Sequence, residues 1–236
     1  MTQAYDSLKN PYQTFYSNCL GTINVLEHLR IFAKCRAIVV ASSDKAYGEL
    51  LNDSYTERHP LNGTYPYDAS KSITDIIAKS YRNTYSMPIT ITRACNIYGK
   101  GDFNFQRLIP GLILAHIEQS TFTVRNEGLD LREYIHVDDV VSAYEKVMAY
   151  TEDVGLESAF NISSGWVLTT NQVIDKVQSI LKDKIKLNYT QVDSLEIKKQ
   201  ALDSSLLRDK TGWHVRKDLT MSLEETINWY VNNCVS

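Results

Sequence analysis

Two patterns in this chain could act on a hydroxyl group. In "YPYDASKS", Tyr67 and Lys71 stand four positions apart, a spacing that puts both side chains on one face of a helix. A lysine beside a phenol favours the phenolate. The pair would make a base able to take a proton from a sugar or alcohol. The second pattern is "SSDKAYG", Ser42 to Gly48, which follows directly on the apolar run Ala37-Ile38-Val39-Val40. Taken singly, each has an ordinary reading. A Ser/Asp pair after a strand caps a turn beside a solvated lysine, and Tyr-x-x-x-Lys pairs occur by chance on solvated helices. Here Ser43 ends a buried strand 24 positions before Tyr67, and another strand follows the helix. That combination is more specific than either part.

The elements that must position these residues can be read from apolar spacing. A continuous apolar run between turn formers suits a strand covered on both faces, as in a parallel sheet. Ligands bind at the carboxyl ends of such strands, which is where Ser43, Asp44 and Lys45 fall. Before this strand, Asn10-Pro11 predicts a cap and a first-turn proline, with Phe15, Cys19, Ile23, Leu26 and Leu29 at helical spacing up to Phe32. After it, "ELLNDSYTERHPLNGTYP" predicts a long surface loop. A second helix is expected over 67–85, with Ile73, Ile76, Ile77 and Tyr81 on one side, and then the strand "ITITRACNIYG". Helix, strand, helix, strand without hairpin signals implies parallel strands joined by crossover helices.

Beyond Gly99 the pattern becomes mixed. A helix at "RLIPGLILAHIEQ", strands at "TFTVR" and "LREYIHV", and a helix capped by Asp138 are expected. A strand at "AFNIS", a helix over 173–181 and a strand at "KIKLNYTQ" follow. A small helix near 204–210 precedes a final one with Leu223, Ile227, Tyr230 and Val231 inward. The expected organisation is a sheet-forming part over 1–100 and a smaller lobe over 101–236, which could lend the sheet its last strand.

Composition narrows the function classes. A 236-residue chain with 43% hydrophobic residues can bury a substantial core. Its net charge of -3 and the lack of a basic run interleaved with aromatics argue against nucleic acid. No stretch approaches the roughly 20 apolar residues of a membrane span, and the N-terminus lacks a signal-peptide core, so a soluble cytoplasmic protein is expected. Cysteines 19, 35, 95 and 234 and histidines 28, 59, 116, 136 and 214 show no metal-ligand spacing. Reduced thiols and no metal are expected.

Together the motifs resemble the extended short-chain dehydrogenase/reductases, the NAD-dependent nucleotide-sugar epimerases and dehydratases. "NPYQTFYSNCLGTINVLEHLR" is similar to the family's Asn-x-x-Gly-Thr helix, "IVVASSDKAYGE" to its catalytic Ser/Thr strand, and "YPYDASKS" to its Tyr-x-x-x-Lys helix. "ITRACNIYGKGD", "RLIPG" and "LREYIHVDDVVSAY" resemble its nicotinamide-facing, nucleotide-contacting and substrate-lobe segments. The resemblance implies a Rossmann-like doubly wound α/β fold, NAD as cofactor and a nucleotide sugar as substrate. It also implies roles: Ser43 hydrogen-bonds the reacting hydroxyl, Tyr67 is the base, and Lys71 holds the nicotinamide ribose and lowers the tyrosine's pKa. Asn18 orients groups near that tyrosine. Asn96, Arg107 and Arg132 are candidates for the substrate, because arginine pairs with phosphate in bidentate fashion. An ordinary surface ion pair is the alternative for each, Arg125 is weaker, and His136 reads as a packed histidine.

Epimerases carry inert residues after the serine, whereas the 4,6-dehydratases carry an acid and a base. Asp44 and Lys45 therefore imply a dehydratase, with Asp44 protonating the departing C6 hydroxyl and Lys45 removing the C5 proton. The Ser-Asp-Lys variant most resembles the CDP-glucose 4,6-dehydratases. Lysine acts as a base only when neutral, a form that burial near Lys71 and a cationic nicotinamide would favour. The family's glycine-rich turn has no counterpart here, since "GKGDFN" lacks the third glycine and leads into loop. The expected fold is thus N-terminally incomplete, with an open sheet edge. The alternatives are a 4-epimerase, a non-catalytic sugar-nucleotide-binding fragment and a decayed fragment. A homodimer or a complementary Rossmann fragment is the expected partner; for a helix-pair dimer the contributors would be Phe15, Leu26, Ile73 and Tyr81.

Overall fold

The computed structural model describes residues 4–49, 54–191 and 197–234. Two short helices, α1 (Ala4–Lys9) and α2 (Pro11–Phe15), lead through a π-helical turn, Tyr16–Leu20, into α3 (Gly21–Phe32). The expected helix from Pro11 to Phe32 is therefore one rod with a wider turn in its middle, a form frequent at functional sites. Next come β1 (Ile38–Ala41), a 3-10 turn over Asp44–Tyr47, α4 (Pro66–Tyr85), β2 (Ile89–Ala94) and β3 (Asn96–Tyr98). The remainder supplies α5 (Leu108–Ile117), β4 (Thr121–Arg125), β5 (Leu131–His136), α6 (Val137–Asp153) and β6 (Ala159–Ile162). It ends with β7 (Val167–Thr169), α7 (Thr170–Leu181), β8 (Lys186–Thr190), α8 (Ser205–Thr211) and α9 (Leu219–Cys234).

Strands β1, β2 and β6 form a parallel sheet in that order, with Ile38 opposite Ile89 and Ile91 opposite Ala159. Helix α4 packs on β2, and α6 packs on β1, β2 and β6. Every residue of β2 is buried, so its run of β-branched residues has no solvent face to alternate with. Fully covering a side chain such as Ile91, Phe160 or Ile162 contributes about 1.5–3 kcal/mol. Beside this sheet, β3 pairs with β5 and β5 with β7, while β4 pairs with β8. Apolar side chains of α5, α7 and α9 close a second core there.

Several local expectations change once packing is known. Helix α4 buries Asp68, Ser70, Ser72, Thr74, Asp75 and Ala78, whereas Ile73 and Ile76 are exposed. Ile77 and Tyr81 pack inward as expected, and the rest of the inward face is mainly polar because it hydrogen-bonds its neighbours: Ser72 donates to the Ala46 carbonyl and Thr74 to that of Asn18. Leu26 is buried against this core and cannot serve an outer interface. Helix α6 is capped by His136, which accepts from the Asp138 amide, rather than by Asp138. The loop after the 3-10 turn is partly interior, for Tyr55 is buried and bridges to Leu202. Among the described residues no helix is long and apolar enough to cross a membrane.

Candidate active site

The turn after β1 begins at Ser43, whose extended backbone places its Oγ to accept from the Lys45 amide at 3.2 Å and donate to Asp44 Oδ1 at 2.8 Å. Gly48 ends the turn at φ 78°, where a Cβ would meet the Asn62 carbonyl oxygen at 2.1 Å. Only glycine fits that path. The capping role expected of Ser43 is thus real, and the turn folds Asp44 inward. Asp44 is 4% exposed, and among the described residues its Oδ2 has no hydrogen-bond partner. Burial raises its pKa against the opposing pull of Lys45 and Ser43. A carboxyl held toward its neutral form can donate a proton.

Tyr67 and Lys71 project from the start of α4, which opens at Pro66 and is tied down where the Tyr67 amide donates to Ser7 Oγ. The Lys71 ammonium donates to the Ala41 carbonyl at 3.2 Å and lies 6.0 Å from the Tyr67 ring centre. Burial lowers the Lys71 pKa, partly offset by Asp75. The Tyr67 phenol is pushed up to about 12, first by burial and then by Asp44, while a hydrogen bond with Ser43 pulls the other way. The expected lowering by Lys71 is therefore not what this arrangement produces. Desolvation dominates, and the ammonium lies 6.0 Å from the ring centre.

A cavity of about 510 Å³ gathers Ser43, Asp44, Lys45, Tyr67, Lys71, Asn96, Arg107 and Arg132 on its walls. Asn96 donates to the Glu133 carbonyl at 3.0 Å. Arg107, just ahead of α5, pairs with Asp102 at 2.8 Å and stays 41% exposed. Arg132 is buried and donates to the carbonyls of Leu131 and Lys198. A second cavity of about 500 Å³ shares Gln106, Leu108, Arg125, Arg132 and Tyr134 with the first, so the two lie side by side. A third, of about 430 Å³, lies between α3 and β1. Asn18 lines this one and not the first; its amide donates to Ser70 Oγ. Lys71 and Ala41 line both.

Sequence reasoning missed Cys95, Tyr98, Tyr134 and Tyr144 on the central wall. Cys95 and Tyr98 fall inside one segment already singled out, and Tyr134 and Tyr144 inside another. Tyr144, the last residue of the substrate-lobe segment, reaches the cavity from the middle of α6.

Residues 3–163 match the NAD dependent epimerase/dehydratase family. The chain is 28% identical, over 98% of its own length, to the trifunctional UDP-glucose 4,6-dehydratase/UDP-4-keto-6-deoxy-D-glucose 3,5-epimerase/UDP-4-keto-L-rhamnose-reductase of Arabidopsis thaliana, of which it spans 35%. It is 27% identical over 95% of its length to the CDP-glucose 4,6-dehydratase of Salmonella typhimurium, covering 66% of that protein. The crystal structure of a dTDP-glucose 4,6-dehydratase from Streptomyces venezuelae superposes with a TM-score of 0.92 at 25% identity, covering 99% of this chain and 71% of the other.

Proposed function

The chain belongs to the NAD dependent epimerase/dehydratase family, and from that premise we propose that it acts as a nucleotide-sugar 4,6-dehydratase, converting an NDP-hexose to an NDP-4-keto-6-deoxyhexose. One observation carries the reading: Asp44, buried with its pKa raised, stands beside Lys45 on the wall of the cavity that Tyr67 and Lys71 also line. An epimerase needs no such acid. Relatives named for UDP- and CDP-glucose lie within one percentage point of identity, so a CDP-glucose-like substrate rests on the Ser-Asp-Lys turn alone.

The residues present suit NAD at its nicotinamide end. Lys71 stands where the central and third cavities meet, and Gly21 of the third has open space where a Cβ would be. Lys71 and Tyr67 would hold the ribose, with Asn18 behind them. When bound, NAD would supply the hydride acceptor for C4, the hydride donor for C6 and a positive charge that favours the Tyr67 phenolate over the neutral phenol. Ser43 orients the C4 hydroxyl and Tyr67 takes its proton. The resulting ketone acidifies the C5 hydrogen, which Lys45 removes while Asp44 protonates the C6 oxygen, and that oxygen leaves as water. Lys45 then returns its proton to C5. Asn96, Arg107 and Arg132 bind the nucleotide diphosphate and sugar. Residues 1–100 carry the chemistry and 101–236 mainly the nucleotide sugar, apart from β6 in the sheet.

The proposed partner is a second copy of the chain or a complementary Rossmann fragment. Ile73 and Ile76 on α4, 37% and 58% exposed, suit a second copy. The β1 edge of the sheet and the exposed Val25 beside it suit an added strand. Four free cysteines fit a reducing, cytoplasmic setting. The test is incubation of the folded chain with NAD and CDP-, UDP- or dTDP-glucose in deuterated water. A 4-keto-6-deoxy product carrying deuterium at C5 is expected, and binding of the sugar nucleotide without that product would overturn the reading.

A further inference from the structure

Behind the cavity wall lies a chain of buried polar groups that the proposed reaction does not use. Arg93, on fully covered β2, is itself fully buried and does not line the cavity. Its Nε and Nη2 both donate to Asp75 Oδ1, at 2.9 and 2.6 Å, and its Nη1 donates to the Tyr47 hydroxyl at 2.6 Å. That hydroxyl donates in turn to Asn161 Oδ1 on β6 at 2.8 Å. The Asn161 amide donates onward to the carbonyls of Tyr55 and Asp203. The Tyr47 ring stacks on that of Tyr55 with centres 4.5 Å apart.

A buried ion pair is a poor source of stability, since desolvation cancels much of its Coulomb energy and apolar replacements of similar volume often do as well. What it does provide is fixed geometry, because the guanidinium presents its donors in a rigid plane. The two ends of this chain are informative. Asp75 follows Lys71 by one helical repeat and Tyr67 by two on α4. Tyr47 closes the short turn that opens with Asp44 and Lys45. Arg93 thus grips both elements that carry the proposed chemistry.

We infer that Arg93 is a positioning residue that locks the helix bearing Tyr67 and Lys71 to the turn bearing Asp44 and Lys45, so that oxidation and water loss act on one bound sugar without rearrangement. The catalytic half of this inference rests on the dehydratase reading; the mechanical half does not.

Two variants test it in the full chain. Tyr47→Phe keeps the ring on Tyr55 and deletes only the hydroxyl, and Arg93→Lys keeps the charge but not the fork. If Arg93→Lys does not fold, Tyr47→Phe decides alone. The Ala46 and Gly48 amides donate within the turn to the carbonyls of Ser43 and Lys45, whereas the Ile91 amide of β2 is bonded to the Ser158 carbonyl. In Tyr47→Phe, hydrogen exchange at Ala46 and Gly48 is expected to quicken about tenfold or more, with Ile91 unchanged. Deuterium incorporation at C5 should fall at least about tenfold further than first-turnover C4 oxidation, read as NADH absorbance. Exchange that is unaltered, or that quickens equally at Ile91, would overturn the inference, as would an equal fall in both chemical steps. No turnover by the unsubstituted chain would count against the dehydratase reading, and the exchange comparison would still decide the mechanical claim.

Discussion

Asp44 and Arg107 face one cavity under opposite conditions. The carboxyl is 4% exposed, on a short turn fixed by a serine cap and an obligatory glycine. The guanidinium is 41% exposed, paired with Asp102 at the start of a helix. Burial on the sheet side sets both place and proton affinity, and a proton-transfer group needs both within narrow limits. A diphosphate-binding arginine needs reach and lasting charge, which exposure preserves. The sheet side is thus built for fixed geometry, and the Arg107 side for adaptable attraction.

Substitutions on the two sides should separate accordingly. The largest effect is expected for Tyr67→Phe, which removes the base: turnover should fall by about 10²–10⁴-fold, with calorimetric affinity for the sugar nucleotide nearly unchanged. A parallel loss of affinity would mean that Tyr67 binds rather than reacts.

Asp44→Asn comes next. It should slow water loss by about 10²-fold while C4 oxidation persists, and it should also stabilise the fold near neutral pH by about 1 kcal/mol, as relief of a strained functional group often does. The sign follows from linkage. Burial raises the folded-state pKa of Asp44 above its ordinary value, so the folded form binds the proton more tightly and stability falls as pH rises from the unfolded value through the raised one. Glu57 and Glu133 are raised by burial too and slope the same way. The variant should flatten the decline of melting temperature with pH; an unchanged profile would place the Asp44 charge in water.

The smallest change is expected from Arg107→Ala. Its ion pair is exposed enough to contribute no more than about 1 kcal/mol to stability, so melting should be unaltered. KM for the sugar nucleotide should rise roughly tenfold, the scale of one charged hydrogen bond. A lowered kcat at constant KM would move Arg107 into the chemistry.

Much of this was legible in the sequence. The apolar run before Ser43, the Pro66 start of α4 and the β-branched run of β2 announce themselves through spacing and residue type, and they put Ser43, Tyr67 and Lys71 at adjoining element ends. Less legible was the face of α4. Apolar spacing pointed to Ile73, Ile76, Ile77 and Tyr81; Ile77 and Tyr81 do pack inward, but Ile73 and Ile76 are exposed, and packing also chose Ser70, Thr74 and Asp75, whose hydrogen bonds across to the π-helical turn and β2 connect residues far apart in the chain. A lone arginine within a β-branched strand was a signal that could have led to Asp75 and Tyr47.

By itself the sequence determined the order of helices and strands and the residues able to move protons, because propensity and side-chain spacing act within a few positions along the chain. The tertiary structure alone decided that Asn18 lines a different cavity from Asn96, that His136 rather than Asp138 caps α6, and that Tyr67 titrates upward. Burial and desolvation depend on what is packed around a group, and the charges that act on Tyr67 include Asp44 and Arg107, remote in sequence.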